Sequence, residues 1–312
     1  GDDINGEASN DFSGASVSLS SDGSRVAIGA YQNGGNGSRS GHVRIYDYNA
    51  STGVWSKLGD DIDGEAADDL SGASVSLSSD GSRVAIGATD NDGNGDLSGH
   101  VRIYEYDSNS NSWSKLGDDI DGEAVSDRSG ASVSLSSNGS RVAIGAYTNY
   151  GNGTNSGHVR IYDYNASTEV WGQVGEDING EANNDESGWS VSLSSDGSIV
   201  AIGAKGNDEN GSMSGHARIY RYDSNSNLWS QLGDDIDGEA ANDRSGWSIS
   251  LSSDGKRVAI GAVNNDGNGS SSGHVRVYSI FSGESYQYTW NVSSTLTDGD
   301  YQVTVAGADL AG

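Results

Sequence analysis

The chain runs to 312 residues without a single cysteine or proline, and with only one methionine and two phenylalanines. No disulfide framework is possible, so cysteine usage leaves the redox compartment open. Proline at average usage would appear about 15 times, and nothing in the chemistry of the chain accounts for the gap. Basic residues are scarce, 17 against 45 acids, for a formal net charge of −28. Such a polyanion is repelled by nucleic acid and by anionic membrane surfaces. Metal cations, basic proteins and neutral glycans are left as partners. No apolar run approaches the length of a membrane span. The sequence opens at Gly1 with no leader pattern, as expected of a processed or excised segment of a longer protein. Hydrophobic content is only 33%, low enough to raise disorder as a question. The regular spacing of Val, Ile, Leu, Trp and Tyr argues against it.

That spacing is periodic. GDDINGEA at Gly1 returns as GDDIDGEA at Gly59 and Gly117, GEDINGEA at Gly175 and GDDIDGEA at Gly233, each step 58 residues. A period of this length marks solenoids, propellers or arrays. Five copies span 1–58, 59–116, 117–174, 175–232 and 233–290, and a tail of 291–312 remains.

Each copy reads as four short antiparallel strands. In the first, SVSLSSDG sets Val17 and Leu19 against Ser16, Ser18 and Ser20 and ends in an Asp-Gly turn. RVAIGA follows, with Val26, Ile28 and Ala30 on one face and the small Ala27 and Gly29 on the other. After a Gly/Asn-rich loop, GHVRIYDY opposes Val43 and Ile45 to His42, Arg44 and Tyr46, and a last strand runs around Val54 to Leu58. No stretch has helical periodicity. Four strands per repeat is the pattern of a propeller blade, and bulky faces stacked on small ones explain how blades bury what a single sheet cannot. The prediction is an all-β propeller of five four-stranded blades plus a short C-terminal β segment. A linear β-solenoid is the rival, although its coils are usually shorter.

With SGASVSLSSDGSRVAIGA…GHVRIY the chain resembles the FG-GAP repeats of integrin α-subunit propellers and their bacterial and algal relatives. Ser13-Gly14, Ser71-Gly72, Ser129-Gly130, Ser187-Gly188 and Ser245-Gly246 stand for the family's Phe-Gly. Gly29-Ala30, Gly87-Ala88, Gly145-Ala146, Gly203-Ala204 and Gly261-Ala262 stand for its Gly-Ala-Pro, without the proline. The resemblance implies a propeller, of seven blades in integrins against five copies here. It also implies calcium loops between the first two strands, where this chain has only Ser-Ser-Asp-Gly or Ser-Ser-Asn-Gly, so that position is expected to be empty. The tail, STLTDGDYQVTVAGADLAG, resembles the closing strands of a bacterial immunoglobulin-like repeat. It reads as the end of such a domain, or as an edge or donor strand that adds to a neighbouring molecule.

The first eleven residues of the copies hold 24 of the 45 acids, which predicts one strongly negative propeller face. Within them Asp3, Asn5, Glu7 and Asp11 follow alternating offsets, as do Asp61, Asp63, Glu65 and Asp69; Asp119, Asp121, Glu123 and Asp127; Asp177, Asn179, Glu181 and Asp185; and Asp235, Asp237, Glu239 and Asp243. Oxygen donors at alternating positions suit Ca2+, a hard cation that takes six to eight oxygens. The structural alternative is that Asp11 and its equivalents cap the turn into the inner strand while the others are solvated. Both readings stay open.

His42, His100, His158, His216 and His274 share one repeat position and read as structural, each bonded to a neighbouring turn. Arg44 and its equivalents read as partners of carboxylates. Trp55, Trp113, Trp171 and Trp229 recur in the outer strand as core, whereas Trp189 and Trp247 replace Ala15, Ala73 and Ala131. These two are either extra packing or an aromatic platform for a glycan. Sequons stand at Asn36, Asn49, Asn138, Asn152, Asn165, Asn210, Asn268 and Asn291 and matter only where N-glycosylation machinery exists. Near-identical copies offer no asymmetric catalytic set, so no enzyme is expected. The chain reads as a secreted or cell-surface structural or adhesive protein that binds an extracellular protein or glycan through an acidic, calcium-loaded face. A lectin-like module, and a self-assembling extracellular fibre joined through the C-terminal strands, are the alternatives.

Overall fold

A computed structural model describes residues 1–280, which are all-β and contain no helix. The fifth copy's outer strand, the tail and the sequon at Asn291 lie outside the described residues. The chain divides into Gly1–Ser282 and Gly283–Gly312, and only the first unit is described below.

Five antiparallel sheets follow one another along the chain. In the first, Ser16–Leu19 pairs with Arg25–Ala30, and that strand pairs with His42–Asn49. The outer strand is broken into two pieces. Val54–Lys57 pairs with one half of His42–Asn49, and Ile62–Asp63 pairs with the other half. The opening residues of the next 58-residue copy therefore complete the outer strand of each of the first four blades. The same arrangement recurs with Ser71–Leu77, Ser132–Leu135 and Ser187–Leu193 as inner strands, and the fifth sheet shows three strands beginning with Ser245–Leu251.

The strand alternation fixes which face meets which blade. Val17 sits opposite Ile28 and Leu19 opposite Val26, so these four share a face. Ala27 lies opposite Ile45 and Gly29 opposite Val43 on the other face. That second face of the first blade packs on the first face of the second blade, joining Ala27, Val43, Ile45 and Ile62 to Val75, Leu77, Val84 and Ile86. Three further cores join blades two to three, three to four and four to five in the same way. Bulky residues thus sit on small ones, as the alternation predicts. Gly29 shows why the small side cannot grow: a Cβ there would run into the carbonyl oxygen of Gly72 in the next blade. Trp113 ties the outer edge by donating its indole N–H to the Leu58 carbonyl 2.9 Å away. At the opposite end, the amide of Ser21 donates to Ser79 O at 2.8 Å, Ser79 to Ser137, Ser137 to Ser195 and Ser195 to Ser253, a ladder through the Ser-Ser-Asp/Asn-Gly turns.

The fold is a β-propeller of five blades, and among the described residues the inward faces of its first and fifth blades lie exposed rather than packed on each other. Val17 and Leu19 are 63% and 60% exposed, although Leu77 at the same repeat position is 7% exposed. Val275 and Val277 of the fifth blade are 67% and 65% exposed, whereas their counterparts Val101 and Ile103 are fully buried.

Candidate binding face and metal clusters

The loops that enter the inner strands and the loops between the second and third strands emerge at the same end of each blade. On the first blade, Glu7 to Asp11 and Gln32 to Gly35, with Ser38 and Arg39, line one open cleft of about 550 Å3. Neighbouring copies are stitched there as well. Asp68 N donates to Ser38 O at 2.8 Å, and Thr154 N donates to the Asn183 side chain at 2.8 Å.

The expected calcium quartets are spread over several roles. Asp11, Asp69, Asp127, Asp185 and Asp243 are buried. Each accepts a hydrogen bond from a backbone amide three residues before it, as Asp11 does from Ala8 N at 2.9 Å. Asn33 adds a second bond to Asp11 at 2.9 Å. These five carboxylates close a turn. The third and seventh positions of each copy part company: Asp61 faces Glu7 and His42, while Glu65 of the same loop faces His100 and Asp119. The loops of copies two, three and four thus each serve two successive clusters. Among the described residues four such clusters occur, Glu7–His42–Asp61, Glu65–His100–Asp119, Glu123–His158–Asp177 and Glu181–Glu209–His216–Asp235, with all donor atoms of a cluster within 4.8 Å of one another. They can hold a metal ion. The fifth-position residues contribute backbone instead, since Arg44 donates to Asn5 O at 2.8 Å and Arg102 to Asp63 O at 2.9 Å.

The histidines depart from expectation. His42, His100, His158 and His216 are buried, and Nε2 of His42 and His100 and both ring nitrogens of His216 have no hydrogen-bond partner. No turn receives them; they face carboxylates, His216 Nδ1 lying 3.8 Å from Glu181 and 3.5 Å from Asp235. Burial pushes His100, His158 and His216 down to about 4, so their imidazoles are neutral. Burial also raises Glu181, helped by the facing Asp235 carboxylate and opposed by Arg218. The arginines meet the expected acids: Arg44, Arg102, Arg160 and Arg218 lie 3.3–3.4 Å from Glu7, Glu65, Glu123 and Glu181. In the Ser-Ser-Asp-Gly turn, Asp22 accepts from Ser24 N at 2.9 Å and Ser20 Oγ at 2.8 Å. These bonds, that from Ser24 N first, pull it down to about 2.

Trp189 and Trp247 come together, ring centroids 5.2 Å apart, with Tyr147 4.8 Å from Trp189. Lys205 Nζ lies 3.6 Å over Trp189 and pairs with Glu186, and the Arg244 guanidinium lies 5.8 Å over Trp247. Arg128 donates to the Tyr147 hydroxyl at 2.8 Å. The underlying signal is where the copies differ. Position 12 holds Phe12, Leu70, Arg128, Glu186 and Arg244; position 15 holds Ala15, Ala73, Ala131, Trp189 and Trp247; position 31 holds Tyr31, Thr89, Tyr147, Lys205 and Val263. Three of the most divergent positions of an otherwise repetitive sequence meet in space, and in copies three to five they form one continuous aromatic and cationic strip. Among the sequons, Asn36, Asn152 and Asn210 donate their side-chain amides to Gly64, Gly180 and Gly238 at 2.8, 2.9 and 2.6 Å. Asn49 and Asn165 stand on exposed hairpins.

Two solved propellers share this fold. One is a proposed 6-phosphogluconolactonase from Bacteroides uniformis, with TM-score 0.53, 14% identity, and coverage of 82% of this chain and 69% of that one. The other is the periplasmic gluconolactonase PpgL of Pseudomonas aeruginosa, with TM-score 0.54, 15% identity, and coverage of 78% and 64%. At such identity the likeness shows the fold alone. No curated protein matches the chain in sequence. The class is thus a β-propeller. An FG-GAP repeat model matches residues 179–220 and 236–278, so these two segments carry FG-GAP repeats, and the same motif recurs in the other copies. The expectation that it is not an enzyme is corrected by these two neighbours, both described as lactonases. That expectation rested on symmetry among the copies, and positions 12, 15 and 31 break the symmetry where they converge.

Proposed function

We propose that this is an extracellular binding protein in which the invariant repeat is a frame and the loop end of blades three to five recognises a glycan. The supporting observation is the convergence of the divergent positions into the strip of Tyr147, Trp189, Trp247, Lys205, Arg128 and Arg244. Half-exposed aromatic faces stack on sugar rings. The cations, gathered in a chain of net charge −28, favour a sugar bearing a carboxylate or sulfate. Adhesion at a cell surface follows from such recognition. Calcium belongs to this reading as an ion held by the exposed loop oxygens. The test is a glycan array of acidic and neutral sugars with wild type, Trp247→Ala and Arg244→Ala. Acidic-sugar binding that falls at least about fivefold in each variant, as the loss of one stacking or cation–π contact of about 1 kcal/mol or more implies, supports it. Undiminished binding, or none to any sugar, removes it.

The bare terminal faces favour a second reading, a subunit that stacks into fibres. Val17 and Leu19 at one end and Val275 and Val277 at the other carry the side chains that mate inside the molecule, so one copy's first blade fits another's fifth. The C-terminal strands expected to make such a joint lie outside the described residues.

A further inference from the structure

We propose that Glu181, Glu209, His216 and Asp235 form a site for a borderline divalent transition metal of the Zn2+ or Co2+ class, and that the other three clusters are weaker, three-donor versions of it. His216 is completely buried, and its Nδ1, with no hydrogen-bond partner, points between the Glu181 and Asp235 carboxylates at 3.8 and 3.5 Å. Metal–ligand distances of about 2.0–2.2 Å put neighbouring donors on the order of 3–3.5 Å apart; the imidazole already stands near that spacing from Glu181 and Asp235, and Glu209, within 4.8 Å of the other donors, closes on the ion by a side-chain shift of about 1 Å. Arg218, 3.4 Å from Glu181 Oε1, holds that carboxylate with Oε2 turned to the imidazole, the kind of support that orients a ligand. A buried imidazole nitrogen without a partner, facing two carboxylates, leaves a gap that a divalent cation would satisfy.

The donor chemistry selects the ion. Calcium and magnesium take oxygen ligands, whereas imidazole suits the borderline divalent metals. Glu209 is particular to the fourth copy: Gly35, Gly93, Gly151 and Gly267 occupy its position elsewhere, so this copy alone offers four donors and binds most tightly. The inference stands apart from the glycan reading, because it uses different residues and a different ligand.

Cobalt is the probe, since its visible absorption reports coordination. Chelator-treated protein is titrated with Co2+ by calorimetry and absorption, with Ca2+ as competitor. One tight and three weaker sites per chain are expected, with Co2+ undisturbed by equimolar Ca2+. Glu209→Gly should weaken the tight class by at least about tenfold, to the level of the rest, and keep four sites; His216→Ala should leave three. Glu209 is exposed, so its variant carries the test even where His216→Ala fails to fold. No binding below millimolar Co2+, equal displacement by Ca2+, or a titration unchanged in Glu209→Gly would overturn the proposal.

Discussion

Leu19 and Leu77 occupy the same repeat position in identical local sequence, yet one is 60% and the other 7% exposed. Truncating each to alanine isolates what the neighbouring blade contributes. For Leu77, packed with Val84 and Ile86 against Ala27, Val43 and Ile45, loss of a buried leucine side chain and the cavity it leaves cost about 2–5 kcal/mol. For Leu19, full burial would have been worth about 2 kcal/mol, and with two fifths of that area covered the change costs about 0.8 kcal/mol. A gap of about 2 kcal/mol between the two variants follows. Urea unfolding monitored by tryptophan fluorescence and circular dichroism measures it, provided both probes agree, because repeat arrays readily lose two-state behaviour. Equal losses in the two variants would refute the open terminal face. If parity appeared only at high protein concentration, a second copy would be covering Leu19.

Stability should also fall with pH in metal-free protein. Burial holds His100, His158 and His216 near 4 in the folded state, below the ordinary 6.5. The unfolded chain therefore binds more protons between pH 6.5 and 4, and the native state loses up to about 3 kcal/mol per histidine across that window; a pH-independent urea midpoint between 7 and 4.5 contradicts this. Glycine contacts give a second comparison. Gly87→Ala drives a Cβ into the Gly130 carbonyl of the next blade, whereas Gly261, its counterpart on the open fifth blade, meets only Ser248 of its own blade among described neighbours. Melting curves should show a loss of about 1–3 kcal/mol for the first and clearly less for the second, and equal losses would argue against the packing.

The blade was legible because its strands alternate with period two and its turns carry Asp-Gly, so Val17, Leu19, Val26 and Ile28 fall on one face by arithmetic alone. The packing rule was legible for the same reason, as Ala27 and Gly29 leave room for a neighbour's backbone. The broken outer strand was not. Ile62–Asp63 belongs to a blade whose other strands end before Leu58, and only pairing with His42–Val43 reveals it. The metal clusters were hidden by the same displacement, since Asp61 and Glu65 are close in sequence but serve different histidines. Alternating acids suggested a local loop, whereas the folded chain draws its donors from points more than fifty residues apart.

The use of the acids also limits what charge can do here. Asp11 and its equivalents are locked into turns, Asp22 into its hairpin, and Glu7 and its equivalents against arginines. Much of the charge that suggested an open acidic face is therefore spoken for by the frame. The same frame restrains the residues whose backbone or side chains cross between blades: the serine ladder, Gly29 and its counterparts, and the tryptophan indoles. Substitution at those places disturbs a neighbour. Positions 12, 15 and 31 escape because their side chains project from the loop end and touch mainly one another, so the exchange of Ala131 for Trp189 or Tyr147 for Lys205 between copies leaves the blade register intact. A repeat that tolerates change only where its loops converge can acquire a binding surface without altering the scaffold, and that is where this chain differs from copy to copy.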